Sequence, residues 1–131
     1  MTKPPYVVLL VDDVAGIRHL TRLALEEGQR FIVRGEADSG QSAVLEAERI
    51  QPDLILLDLS MPGMNGLEVL PLLRAASPHS AIVVHSGFGA PNAPYATQRL
   101  GAVGFVEKGI APPLLRERLL EILGHASEVP S

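Results

Sequence analysis

The chain has 131 residues, 47% of them apolar and 20% charged, which fits one globular domain with a hydrophobic core rather than a disordered tract. Its 11 basic and 15 acidic residues give a formal charge of −4 with no basic cluster, which argues against direct nucleic-acid binding. There is no cysteine, hence no disulfide or thiolate metal site, and no apolar run approaches a signal peptide or membrane span, so the expectation is a soluble cytoplasmic domain.

Tyr6 to Val11 reads as a first strand, running into Asp12 and Asp13. A helical pattern follows from about Val14 to Glu27, with Ile17, Leu20 and Ala24 on one face and Gly28 as its stop. Phe31 to Ala37 is a second strand, polar enough to lie near a sheet edge, and Gly40 to Ile50 a second helix with Ala43, Val44 and Ala47 inward. Gln51-Pro52 ends that helix. Asp53 to Leu57 is the third strand, leading to Asp58 and a turn-rich segment, Met61-Pro62-Gly63-Met64-Asn65-Gly66. A third helix spans about Leu67 to Ala76 with Pro71 inside it.

Ala81 to His85 is the fourth strand, reaching Ser86. The stretch Gly87-Phe88-Gly89-Ala90-Pro91-Asn92-Ala93-Pro94 is poor helical sequence, leaving a short fourth helix between about Pro94 and Leu100. Val103 to Val106 is the fifth strand, leading to Lys108. Pro112 opens the last helix, whose inward stripe is Leu115, Leu119 and Ile122. The domain is expected over residues 1–124, with a short flexible tail over 125–131. Continuous apolar strands alternating with helices predict an α/β fold, a doubly wound five-stranded parallel sheet with five helices.

In such a sheet, ligands bind at the carboxyl ends of the strands. Asp12, Asp13, Asp58, Ser86 and Lys108 all follow strands and would meet there. Each has a plain alternative: a helix cap for the acid pair, a turn former for Asp58, a solvated charge for Lys108. One shared site explains all five together. Three carboxylates repel one another and call for a cation. Hard oxygen ligands without histidine or cysteine suit Mg²⁺. A carboxylate can also accept a phosphoryl group. Mg²⁺ and the Lys108 ammonium would then supply positive charge, and the Ser86 hydroxyl a hydrogen bond.

Taken in order, Asp12-Asp13, Asp58-Leu59-Ser60-Met61-Pro62-Gly63-Met64-Asn65-Gly66, Ser86-Gly87 and Gly101-Ala102-Val103-Gly104-Phe105-Val106-Glu107-Lys108 resemble the receiver domain of bacterial two-component response regulators, chemotaxis receivers included, over about residues 6 to 124. The resemblance implies a flavodoxin-like strand order 2-1-3-4-5. It implies a signalling phosphoprotein, in which Asp58 takes the phosphoryl group from the phosphohistidine of a sensor histidine kinase or phosphotransfer protein. Asp13, Asp58 and the Ser60 carbonyl would ligate Mg²⁺ (or Mn²⁺), Asp12 acting through water. Ser86, Gly87 and Lys108 would bind the phosphate, Ser86 and Phe105 would form the switch pair, and the face of the fourth helix, fifth strand and fifth helix would present the state to a downstream effector or output domain. The chain would catalyse only its own phosphorylation and dephosphorylation, and a homodimer through that face is allowed.

Three features depart from the family pattern. Gly109 replaces the usual proline after the lysine, the 87–94 stretch predicts an atypical fourth helix, and Phe88 stands next to the site, where it is expected to hinder the attacking water. A degenerate receiver acting as a constitutive interaction module is the main alternative. An aspartyl-phosphate hydrolase needs an Asp-x-Asp pair that adjacent acids do not supply, and a flavin phosphate would be repelled by Asp12-Asp13.

Overall fold

The computed structural model describes residues 3–61, 66–87 and 101–128. Five parallel strands, β1 (Tyr6–Val11), β2 (Phe31–Ala37), β3 (Leu54–Leu57), β4 (Ala81–Ser86) and β5 (Gly104–Glu107), form one sheet in the order β2-β1-β3-β4-β5. The described helices are α1 (Ala15–Glu26), α2 (Gly40–Ile50), α3 (Gly66–Ala76) and α4 (Pro112–Glu128). The expected short helix near Pro94 lies outside the described residues. Among those residues no helix is long and apolar enough to cross a membrane.

Both faces of the sheet are covered, which is why its central strands are apolar throughout. Leu9, Val11, Ile55, Leu57, Ile82 and Val84 pack under α2 and α3, while Val8, Leu10, Leu54, Leu56, Ala81 and Val83 pack under α1 and α4. At β5 the approach of α4 is close enough that a Cβ on Gly104 would sit 2.7 Å from Ile122 Cδ1, so a larger residue there would have to displace the end of that side chain.

β2 lies at the edge, as its polarity predicts. It carries one irregularity: Val8 pairs with Val33 but Leu9 with Gly35, so Arg34 bulges out of register. The bulge inverts the alternation that follows. Phe31 and Val33 face α1, whereas Gly35 and Ala37 face α2, and Glu36 is thereby returned to the α1 side.

α1 presents two apolar sides. Its buried residues are Thr21 and Leu25. Ile17, Leu20 and Ala24 do share a face, but it lines an apolar groove against Ile110, Pro112 and Leu115, and Leu20 remains 66% exposed. α2 is closed at its start by a capping box, Ser39 Oγ accepting from Ser42 N and Ser42 Oγ from Ser39 N. α4 buries Leu115, Leu119 and Leu123, with Ile122 partly covered, and its backbone continues to Glu128, past the boundary expected at residue 124.

Candidate functional site

Three site residues are fastened to the sheet by bonds just past the strands. Asp12 N donates to Ala37 O at 3.0 Å, Asp58 N to Val11 O at 2.9 Å, and Lys108 N to Ser86 O at 2.7 Å. These bonds tie the end of β1 to β2, that of β3 to β1 and that of β5 to β4, at the carboxyl edge of the sheet.

Asp58 is almost fully buried. Its Oδ1 accepts from Ser60 N at 2.9 Å, and its Oδ2 lies 3.1 Å from Lys108 Nζ. The same ammonium lies 2.8 Å from Asp12 Oδ2. Asp12 Oδ1 accepts from Val14 N at 2.9 Å, closing a tight turn, and Val14 is the N-cap of α1 with no side-chain bond. The acid pair therefore does not cap the helix, and the plain alternative for it fails. Asp13 is exposed, and carboxylate oxygens of Asp12, Asp13 and Asp58 lie within 4.8 Å of one another.

Burial presses the Lys108 amine toward its neutral form, but hydrogen bonds to Asp12 and Asp58 and their charges outweigh it, raising its pKa above the ordinary lysine value. One cation cannot neutralise three carboxylates. Among the described residues, the buried Asp12 Oδ2 has no well-formed hydrogen bond and faces that ammonium. An all-oxygen donor set with this deficit fits a hard divalent cation.

Ser86 ends β4, buried, and Gly87 follows with open space beside it. Phe105 pairs in register with Val84, so Phe105 and Ser86 lie on the same face of neighbouring strands, one pleat apart. The ring is partly buried against the α2–α3 core. Gly109 has φ +90°, which the proline ring could not adopt. Phe88 lies outside the described residues.

Three residues near the rim were not singled out from sequence. His85 points to the α1–α4 side, where it floors the apolar groove beside Lys108. Burial, assisted by the Lys108 charge, drives its pKa down to about 4 against the opposing pull of Asp12 and Asp58, so the ring is neutral. Arg18 donates from Nη1 to the Asp12 carbonyl at 2.6 Å and from Nε to Glu36 Oε1 at 2.8 Å. Arg22 donates to the other Glu36 oxygen at 2.6 Å. Burial would raise the Glu36 pKa, but the two arginine hydrogen bonds and charges hold it below the ordinary carboxylate value. The position of Arg18 one turn into the helix after the acid pair is the only sequence signal that bears on it.

Residues 8–120 match the family model described as "Response regulator receiver domain". The nitrate/nitrite response regulator protein NarL of Escherichia coli is 38% identical over 94% of this chain and 55% of its own length, so the chain spans about half of that relative. The chemotaxis protein CheY of Listeria monocytogenes is 31% identical over 92% of this chain and 98% of its own. Among solved structures, the signal receiver domain of the putative response regulator NarL from Mycobacterium tuberculosis superposes with a TM-score of 0.83 at 28% identity, covering 93% of this chain and 98% of that one.

Proposed function

Because the chain belongs to the response regulator receiver family, we propose that it is the phosphoacceptor of a two-component pathway, cytoplasmic, taking a phosphoryl group onto Asp58 from the phosphohistidine of a sensor histidine kinase or phosphotransfer protein. The observation that carries this is the pairing of the buried Asp58 carboxylate with Lys108 at 3.1 Å, amid two further acids that leave the rim short of positive charge.

Asp58 has one oxygen held by the Ser60 amide and the other facing the lysine, so the carboxylate is fixed in orientation before any donor arrives. That oxygen attacks phosphorus, the bond from phosphorus to the donor nitrogen breaks, and the electron pair stays with the departing imidazole. Lys108 balances charge on the transferred oxygens, and the Ser86 hydroxyl, with the Gly87 backbone, takes a further one. Asp12, Asp13, Asp58 and the Ser60 carbonyl would hold Mg²⁺ or Mn²⁺, which supplies charge neutralisation when bound. Ser86 drawn toward the phosphoryl group would free space on its face of the sheet for Phe105, whose place one pleat away suits such coupling. The moved ring alters the surface of β5 and α4, which a downstream protein effector or output domain reads, or a second copy of the chain.

The test is intact mass after incubation with acetyl phosphate and Mg²⁺. One phosphoryl adduct, lost in Asp58→Asn and lost with EDTA, is the expected result. No adduct under conditions that label an established receiver would overturn the reading and leave a constitutive interaction module.

A further inference from the structure

We propose that Arg18 is a positioning residue of the acidic rim: held by Glu36, its guanidinium clamps the peptide joining Asp12 to Asp13 and so sets where their two carboxylates meet a cation. This rests on the reading of the rim as a cation-assisted site.

The turn from β1 into α1 is otherwise closed by Val14 N donating to Asp12 Oδ1, and Lys108 faces Asp12 Oδ2, so the Asp12 side chain is held but not the peptide that follows it. Val14, the N-cap of α1, contributes no side-chain bond, and the Asp12 carbonyl lies beyond the last ladder bond of β1. Arg18 Nη1 meets that carbonyl at 2.6 Å. The carbonyl belongs to the planar peptide whose other end is the Asp13 nitrogen, so holding one oxygen orients both acids. Asp13 is exposed, and the backbone sets the direction of its Cα–Cβ bond. Without the clamp, repulsion among three carboxylates would push this turn outward.

The clamp is itself anchored. Arg18 Nε and Arg22 Nη2 take separate oxygens of Glu36, and the bulge at Arg34 is what turns Glu36 toward them. A charged fork spanning two acceptors is a task for arginine, since a lysine ammonium on a flexible stem cannot hold both in a fixed plane. Arg22 shares Glu36 but makes no bond to the Asp12 carbonyl, which makes it the natural control for mere stapling of α1 to β2.

Titration calorimetry with Mg²⁺ on the unaltered chain, Arg18→Met, Arg18→Lys and Arg22→Met tests this, with thermal unfolding of each recorded alongside. Residues that orient metal ligands commonly contribute tenfold or more in metal affinity, so Arg18→Met should weaken Mg²⁺ binding about tenfold. Arg18→Lys should recover only part of the loss, and Arg22→Met should bind as the unaltered chain does. Unchanged affinity in Arg18→Met, or an equal loss in Arg22→Met, overturns the clamp. Should Arg18→Met fail to fold, Arg18→Lys against Arg22→Met decides by the same criterion. Mg²⁺ binding that depends on Arg18, in a chain that takes no phosphoryl group from acetyl phosphate, would uphold the clamp and sink the phosphoacceptor reading. No Mg²⁺ binding by the unaltered chain would leave the clamp nothing to position and overturn it.

Discussion

Two clusters of charge lie side by side at this end of the sheet, and they are built oppositely. At the rim, the buried Asp12 and Asp58 share Lys108, and the exposed Asp13 lies beside them. On the flank, the single carboxylate of Glu36 has two arginines, each on its own oxygen, with its side chain 31% exposed. The flank is balanced: each Glu36 oxygen has an arginine donor. The rim is incomplete among the described residues, since one ammonium stands against three carboxylates. Satisfied polar networks make scaffolding, and unsatisfied ones make sites.

The sharpest way to break this comparison is to remove the cation that both buried rim acids share. Lys108→Met leaves Asp12 and Asp58 buried without a counter-charge, and removal of one partner from a buried pair costs about 3 kcal/mol. Urea denaturation followed by circular dichroism should show that loss, and Mg²⁺ should restore part of it by substituting for the missing charge. A variant as stable as the parent, and indifferent to Mg²⁺, would mean that the rim carries no electrostatic deficit.

A second effect of similar sign comes from His85, which the rim does not protonate despite its acids. Its folded pKa of about 4 lies below the ordinary 6.5 because burial and Lys108 disfavour the charged ring. Below 6.5 the unfolded chain binds a proton that the folded chain refuses, so stability falls as pH drops from 6.5 toward 4. Integrated over that window the loss is about 3 kcal/mol at most. His85→Leu, measured across the same window, should flatten the slope. If the slope survives the substitution, the acid sensitivity arises elsewhere.

The convergence of the rim was legible because it needs only strand ends and the parallel-sheet rule. Each apolar run fixes where its strand stops; Asp12 and Asp58 follow at once, and Lys108 one residue later. The flank was not legible, for a specific reason. By simple alternation Glu36 would face the same way as Ile32 and Arg34, and nothing in the composition of β2 announces that Arg34 bulges and reverses the parity. Without that, no pairing of Glu36 with α1 can be read. The stripe of Ile17, Leu20 and Ala24 was legible as a shared face, but a stripe does not say whether that face meets the sheet or the groove beside α4. His85 was passed over because one polar residue in an apolar strand looks like the approach to Ser86 rather than the floor of that groove.

The smallest effect is expected where the charges are already balanced. Glu36→Gln keeps an acceptor for one arginine and loses the ion pairs, which for partly exposed groups are worth about 0.5–1 kcal/mol. The folded pKa of Glu36 is depressed, so its contribution is present above the unfolded value of 4.5 and disappears as pH falls through the lower folded one. Parent and variant should therefore differ in urea at about pH 7 and converge as the solution is taken to about pH 3. Mg²⁺ should not repair the deficit, because no acid on the flank is left uncovered. A loss in Glu36→Gln as large as that in Lys108→Met would mean that the flank is a desolvated network rather than a balanced surface staple. The contrast between a closed cluster and an open one would then have to be given up.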